Sequence, residues 1–454
     1  MKPKVIVTLV TLMGVLLSGC GKDSSPKTED IGKFNGVVIN EIAAHDEVAD
    51  EDSWVELMNT SSSDVDISGL GLYLYDDYFT GKCVYTAPAG TSIASKGRLV
   101  ISTQDESLVT GILSTSDFEL KLALSNDGTA VDDFNRKTSI SEPAALSKAG
   151  SYQRIPDGSS TWRAMTYSSK SVENKVFSID DLRPTAVWVW RSYLETLLAD
   201  GCAKLKELKA QGFDHILLNY SAFEYDQKRT RQLIDASDDL GIAVHAWMQC
   251  FHTSEGWINP VDDAANCYKD EIFEDIIAHA KAYIEDFGVK GLHLDYIRYP
   301  GTAYKHNPSA EVTAVGAVNR CCRELRELVD SYNEGIVTSA ALMPEKSGAY
   351  YYAQDYNAMG TYLHILMPMI YKYSYGYGDD ACRSYANMFA SNTGGAKCWP
   401  GTTTYKGNDS SVSPMDAAGI LADCKVYQGT KASGIVLFRY GLGTFPDLSD
   451  FWSE

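Results

Sequence analysis

The sequence predicts two folded parts in tandem, an antiparallel β-sandwich followed by a (β/α)8 TIM barrel. Three observations carry this reading. From Gly36 to about Asn174, short alternating strands are separated by Ser, Asp and Gly clusters, at the intervals of a sandwich. After Asn174 the rhythm changes to strands separated by longer amphipathic stretches, which predicts βα units and a parallel sheet. Eight such strands follow, within roughly the 250 residues typical of a barrel. A chain of 454 residues is also longer than one core ordinarily accommodates.

The first nineteen residues read as an export signal rather than as part of the fold. Lys2 and Lys4 supply the positive start, Val5 to Leu17 the apolar core, and Leu17-Ser-Gly-Cys20 the end. That tetrapeptide resembles the lipobox of bacterial lipoproteins. The resemblance implies that Cys20 is lipidated and that the chain meets a membrane only through this anchor. Gly21, rather than an Asp, follows Cys20, so an outer-membrane lipoprotein is expected, periplasmic or surface-exposed. Residues 20–34 are polar, as a flexible tether should be. No other stretch is apolar enough to span a bilayer.

The sandwich is expected over residues 35–174. Its strands read in order as Val37–Ile42, Ser53–Met58, Gly71–Tyr75, Arg98–Ser102 and Phe118–Leu122, each alternating or nearly so. Ile39-Asn-Glu41, Trp54-Val-Glu-Leu57 with Asn59, Ile67-Ser-Gly-Leu70-Gly71, and the closing Ser151-Tyr-Gln-Arg154-Ile-Pro156-Asp157-Gly158 with Trp162 and Asn174 resemble a lamin-tail domain. This is an immunoglobulin-like module, and the resemblance implies no catalysis. Glu41 and Glu56 look like a carboxylate pair, but alternation and turn chemistry account for them.

The barrel is expected over residues 184–454. Its strands are Ala186–Trp190, His215–Asn219, Ala243–Gln249, Gly291–Asp295, Gly335–Met343, His364–Tyr371, Ala396–Trp399 and Gly434–Arg439. Helices are expected between them, among others over Tyr193 to Gln211, Glu271 to Phe287 and Glu311 to Tyr332. A doubly wound open sheet is the alternative, but no Gly-rich phosphate turn follows the first strand.

Composition narrows the partners. A net charge of −20 and a pI near 4.8 argue against nucleic acid or anionic lipid and are compatible with a neutral polymer. The 28 Tyr and 8 Trp point weakly toward sugars, on which flat amphipathic rings stack, since most aromatics simply fill cores. Ten cysteines, with Cys321 and Cys322 adjacent, lack the spacing of zinc ligands, so no metal or cofactor is expected. In an oxidising compartment one or two disulfides at most are expected among them.

The stretch Gly291-Leu-His-Leu-Asp-Tyr-Ile-Arg-Tyr-Pro300 is the most informative in the chain. A strand buried on both faces should be apolar, yet Gly291, His293 and Asp295 share one face and a carboxylate stands at the strand end. An unpaired buried carboxylate is costly, so Asp295 is expected to face an open cleft at the C-terminal mouth of the barrel with Arg298 nearby. The competing reading is an Asp–Arg pair that only ties down a loop. Other strand ends are polar too. Asn219 shares a face with His215, and His245, Trp247 and Gln249 share another. Glu345 follows strand five on the parity of Ala341 and Met343, Tyr371 ends strand six, and Arg439 ends strand eight.

Two carboxylates are what glycoside cleavage requires. Asp295, held ionised by Arg298, suits the nucleophile or stabiliser, and Glu345 the general acid, with Glu224 and Glu255 as alternatives for the acid. Asn219, His245, Trp247, His293, Tyr296, Arg298, Tyr371 and Arg439 are expected to bind substrate. The residues Gly291, His293, Asp295, Tyr296, Arg298 and Pro300, with Met367-Pro-Met-Ile-Tyr371, resemble the glycoside-hydrolase-like barrels of bacterial lipoproteins over about 184 to 445. That resemblance implies hydrolysis of O-glycosyl bonds in a polysaccharide or glycan. There is a looser similarity to alpha-amylase-type barrels, but His293 stands where their arginine would. The alternative from another class is a non-catalytic carbohydrate-binding or adhesive lipoprotein. Two carboxylates about 5 to 10 Å apart at the mouth distinguish the enzyme from it.

Overall fold

The computed structural model describes residues 30–45, 53–112, 117–140, 146–408 and 411–452. The expected export signal, Cys20 and most of the tether lie outside the described residues.

The N-terminal part is a pair of antiparallel sheets. One runs in the order Trp162–Met165, Ser151–Arg154, Val37–Ala43, Trp54–Asn59, Arg98–Ser102, and the other Thr80–Thr86, Gly71–Tyr75, Glu119–Ala123, Ala130–Asn135. Ile39, Leu57, Leu72, Leu120, Phe134 and Tyr152 fill the space between them. All five strands expected from alternation are present, with ends within one residue. Glu41 and Glu56 are cross-strand partners on the opposite face of the first sheet, and both are fully buried. A segment after Met165 supplies one backbone donor to each, and the sheet's own strands supply others. Glu41 accepts from Ser151 Oγ at 2.6 Å and from the Ser169 N–H at 2.8 Å, and Glu56 from Asn40 Nδ2 at 3.0 Å and the Ser171 N–H at 2.8 Å. Burial pushes their pKa values up to about 8 and about 7.

The second part is a parallel, barrel-like sheet that begins at Thr185. Strands Thr185–Val189, His215–Asn219, Ala243–Gln249, Gly291–Asp295, Val337–Leu342 and Ile365–Pro368 pair in sequence order, and the last strand, Ile435–Phe438, pairs with the first. The expected seventh strand is instead two short pieces. Lys397–Cys398 pairs with the sixth strand and Gly401–Thr403 with the eighth. Pro400 lies between them and has no N–H to give to a ladder. The sheet therefore has nine strands in an open ladder whose two ends are consecutive in sequence, bridged only by an isolated contact between Met369 and Gly401.

Helices pack outside this sheet. Asp270–Phe287 is close to its expected limits. Ala314–Tyr332 begins three residues later than expected because the Thr313 hydroxyl caps it, accepting the Gly316 N–H at 2.9 Å. Leu194–Ala210 is interrupted at Ala199–Cys202, where Asp200-Gly201 is a turn signal inside the helical pattern. Strand alternation then sorts the side chains. Val187, Ile216, Leu218, Leu292 and Leu294 meet the helices, while Ala186, Trp188, Leu217, Trp247, Met367 and Val436 fill the barrel interior. The nine described cysteines are all free thiols, so the expected bridges are absent among the described residues. Six of them are buried and act as small hydrophobes.

Candidate active site at the barrel mouth

The barrel interior is filled from below. His215 Nδ1 and His245 Nε2 share a hydrogen bond of 3.0 Å at the lowest level, and the ring of Trp399 lies 5.1 Å from that of His215. Gly291 is required here, since a Cβ at this position would stand 2.0 Å from His245 Nδ1. One level higher, Trp188 donates its indole N–H to His293 Nε2 at 3.2 Å, and His293 Nδ1 meets Ser339 Oγ at 2.9 Å. His215, His245 and His293 are all fully buried. Burial holds the imidazoles neutral, with His215 and His293 pushed down to about 3. The sequence reading makes His245 and His293 substrate contacts, but they form the floor instead. Each sits one or two strand pleats too deep to reach the mouth.

Above this floor opens a cavity of about 540 Å³. Strand one places Trp188 and Trp190 in its wall, strand two Asn219, strand three Trp247 and Gln249, and strand four Asp295. Tyr296, Arg298, Tyr371, Tyr375, Phe438 and Arg439 complete much of the rim. Asn219, Trp247, Asp295, Tyr296, Arg298, Tyr371 and Arg439 are thus brought together, and strand parity accounts for Asn219, Trp247 and Asp295 among them. Asn219 also caps the helix Tyr220–Tyr225, its Oδ1 accepting from Ser221 Oγ at 2.7 Å.

Asp295 is gripped on both oxygens. Trp247 Nε1–H donates to Oδ2 at 2.9 Å, and the Tyr296 N–H donates to Oδ1 at 2.7 Å. These bonds and the positive charge of Arg298 favour the carboxylate, but burial is the larger effect and raises the pKa of Asp295. Arg298 acts in the expected direction on Asp295 but does not outweigh burial. Arg298 makes no ion pair with Asp295. Its guanidinium lies 4.6 Å from the centre of the Trp257 ring and 5.5 Å from that of Tyr296, with one hydrogen bond, from Nη1 to the Tyr299 carbonyl at 3.3 Å. The loop-tying Asp–Arg pair is therefore not formed.

Glu345 does not line the cavity. It is half-buried in the loop after strand five, where its carbonyl accepts the Tyr356 hydroxyl at 2.7 Å. Strand five ends at Leu342, so the parity that places Glu345 with Ala341 and Met343 no longer governs it. Glu224 and Glu255 are exposed and are likewise absent from the lining. Among the described residues, Asp295 is the one carboxylate in the cavity wall. No three His, Cys, Asp or Glu side chains among the described residues are grouped to hold a metal ion.

Sequence reasoning missed Trp188, Trp190, Tyr375 and Phe438 as lining residues. Trp188 and Trp190 were detectable, because they continue the inward parity of Ala186. Phe438 continues the inward parity of Val436 in strand eight, whereas Tyr375 ends the short helix Lys372–Tyr375, where strand parity does not apply.

No curated protein matches the chain. Among solved structures, it is similar to the glycoside hydrolase domain of PgaB (BpsB) from Bordetella bronchiseptica, at 10% identity and a TM-score of 0.43, covering 56% of this chain and 93% of that one. It is similar to a chitinase from Chromobacterium violaceum at 12% identity and a TM-score of 0.42, covering 57% and 95%. A third is the spore cortex-lytic enzyme SleL of Bacillus megaterium, at 13% identity and a TM-score of 0.40, covering 60% and 75%. Residues 33–138, most of the N-terminal sandwich, match the family model of the Lamin Tail Domain.

Proposed function

We propose that the barrel is a glycoside hydrolase and that Asp295 is its essential carboxylate. One observation carries this reading. A single carboxyl group, with its pKa raised by burial, stands in an aromatic cavity at the C-terminal ends of parallel strands, where barrel enzymes place their chemistry. A carboxyl of raised pKa suits proton donation. In that role it protonates the departing glycosidic oxygen as the C–O bond breaks. Water then adds hydroxyl to the anomeric carbon, and its remaining proton restores the acid.

Glu345 is the candidate for the second carboxylate. Its charge is felt by Tyr352 and Tyr377, and engagement requires its loop to shift toward the cavity. A non-catalytic carbohydrate-binding or adhesive role is the second reading, favoured by the single carboxylate in the lining. Incubating the purified protein with a panel of host, plant and microbial glycans, and measuring released reducing ends, decides between them. Turnover abolished by Asp295→Asn supports the enzyme. Binding without turnover by the wild type supports the second reading. We further propose that the chain is held at the outer membrane through lipid on Cys20.

A further inference from the structure

The cavity holds more positive than negative groups. Its lining carries two guanidinium groups, Arg298 and Arg439, against one carboxylate, in a chain whose net charge is −20. Neither arginine has a carboxylate partner among the described residues. Arg298 packs against Trp257 and Tyr296, and the guanidinium of Arg439 lies 5.8 Å from the centre of the Trp190 ring. The two come from opposite sides of the sheet, one just beyond strand four and the other just after strand eight, with strands three, two and one between them. The wall also contains two buried N–H donors without an acceptor, Arg298 Nε and Trp190 Nε1.

A buried donor left without a partner is costly. A guanidinium fork matches the paired oxygens of a carboxylate or sulfate in geometry and charge. We propose that this cavity takes an anionic sugar, whose carboxylate or sulfate ester is recognised by Arg298 and Arg439. The inference rests on reading the cavity as the glycan site, and it replaces the neutral polymer that the overall charge suggested. The acidic surface does not oppose it strongly, because exposed charges are screened beyond about 8 Å at physiological salt.

The test uses calorimetric binding to the full chain. Polyuronates and sulfated polysaccharides are compared with their carboxyl-reduced and desulfated counterparts, and turnover is read separately on the same samples. The expected result is binding to at least one acidic glycan, weakened at least tenfold when its anionic group is removed. Arg298→Gln and Arg439→Gln should each abolish most of that preference, and Arg298→Lys should restore part of it. Melting curves establish that each variant is folded, and either glutamine variant suffices if the other is not. The polyuronate and sulfated arms identify which anion is read. Equal binding of an acidic glycan and its neutral counterpart overturns the proposal, as does failure to bind any acidic glycan. Acid-selective binding without turnover sinks the hydrolase reading alone, and turnover confined to neutral glycans sinks only the anion inference.

Discussion

Trp247 on strand three donates its indole N–H to Asp295 on strand four across 2.9 Å. The parallel register sets Gln249 opposite Asp295 and Trp247 opposite His293, so the indole reaches one pleat upward to the carboxylate. This bond fixes the direction of the carboxyl group and opposes the effect of burial on its pKa.

Replacing Asp295 by Asn tests the carboxylate itself. The amide keeps the shape and can accept from Trp247 or Tyr296 but not ideally from both. Loss of a buried charge offsets that deficit, so stability should change by no more than about 1–2 kcal/mol. Turnover should fall at least a hundredfold. Thermal melting and glycan turnover on one sample check both halves.

Trp247→Phe removes the donor while keeping a ring. Without that hydrogen bond the pKa of Asp295 should rise further. An acid is active while protonated, so activity falls as pH rises through this pKa. The falling limb of the pH–kcat profile should therefore move to higher pH by up to about one unit. Movement of the rising limb instead would identify Asp295 as a base or nucleophile.

Glu41 makes stability of the sandwich pH-dependent. Its pKa is about 8 when folded against the ordinary 4.5, burial being the first cause and the charge of Glu56 the second. The folded state thus holds more protons than the unfolded state between these values. Its contribution to stability is fully present below about 4.5 and is lost as pH rises through 8, with a slope of up to about 1.4 kcal/mol per pH unit. Glu56 acts with the same sign between 4.5 and about 7. Glu41→Gln should flatten the fall in melting temperature between about pH 5 and 8, as read by scanning calorimetry.

Gly291→Ala should destabilise the barrel by about 1–3 kcal/mol, because its methyl meets a packed imidazole rather than space. Chemical denaturation of the full chain measures this.

Cys20→Ala should abolish incorporation of labelled palmitate in cells. Labelling that survives the substitution rules out lipidation at Cys20, and protease treatment of intact cells reports whether the body is exposed.

Strand identity was legible wherever alternation was uninterrupted, as in His215–Asn219 and Gly291–Asp295, because period two assigns every side chain to a face. The same rule named Asp295, Trp247 and Asn219 as inward residues. It could not say how deep each would sit, which is why His245 and His293 read as contacts and prove to be floor. Depth depends on barrel stagger, a property of the whole sheet. Glu345 stands outside the cavity lining for a different reason. It lies beyond the last paired residue, where loop packing around Tyr356 replaces strand geometry. Arg298 reads as a partner of Asp295 on sequence proximity alone, whereas the aromatic rings beside it determine its place.

The stacked floor of Trp188, His293, Ser339, His245 and His215 makes the cavity a cul-de-sac. Whatever enters must leave by the same door, and a long polymer cannot thread through the barrel. It must either dip one end into the chamber or drape across the rim with a single unit pressed inward. On the hydrolase reading, the fragment lying deepest in both arrangements has to depart before the next can take its place.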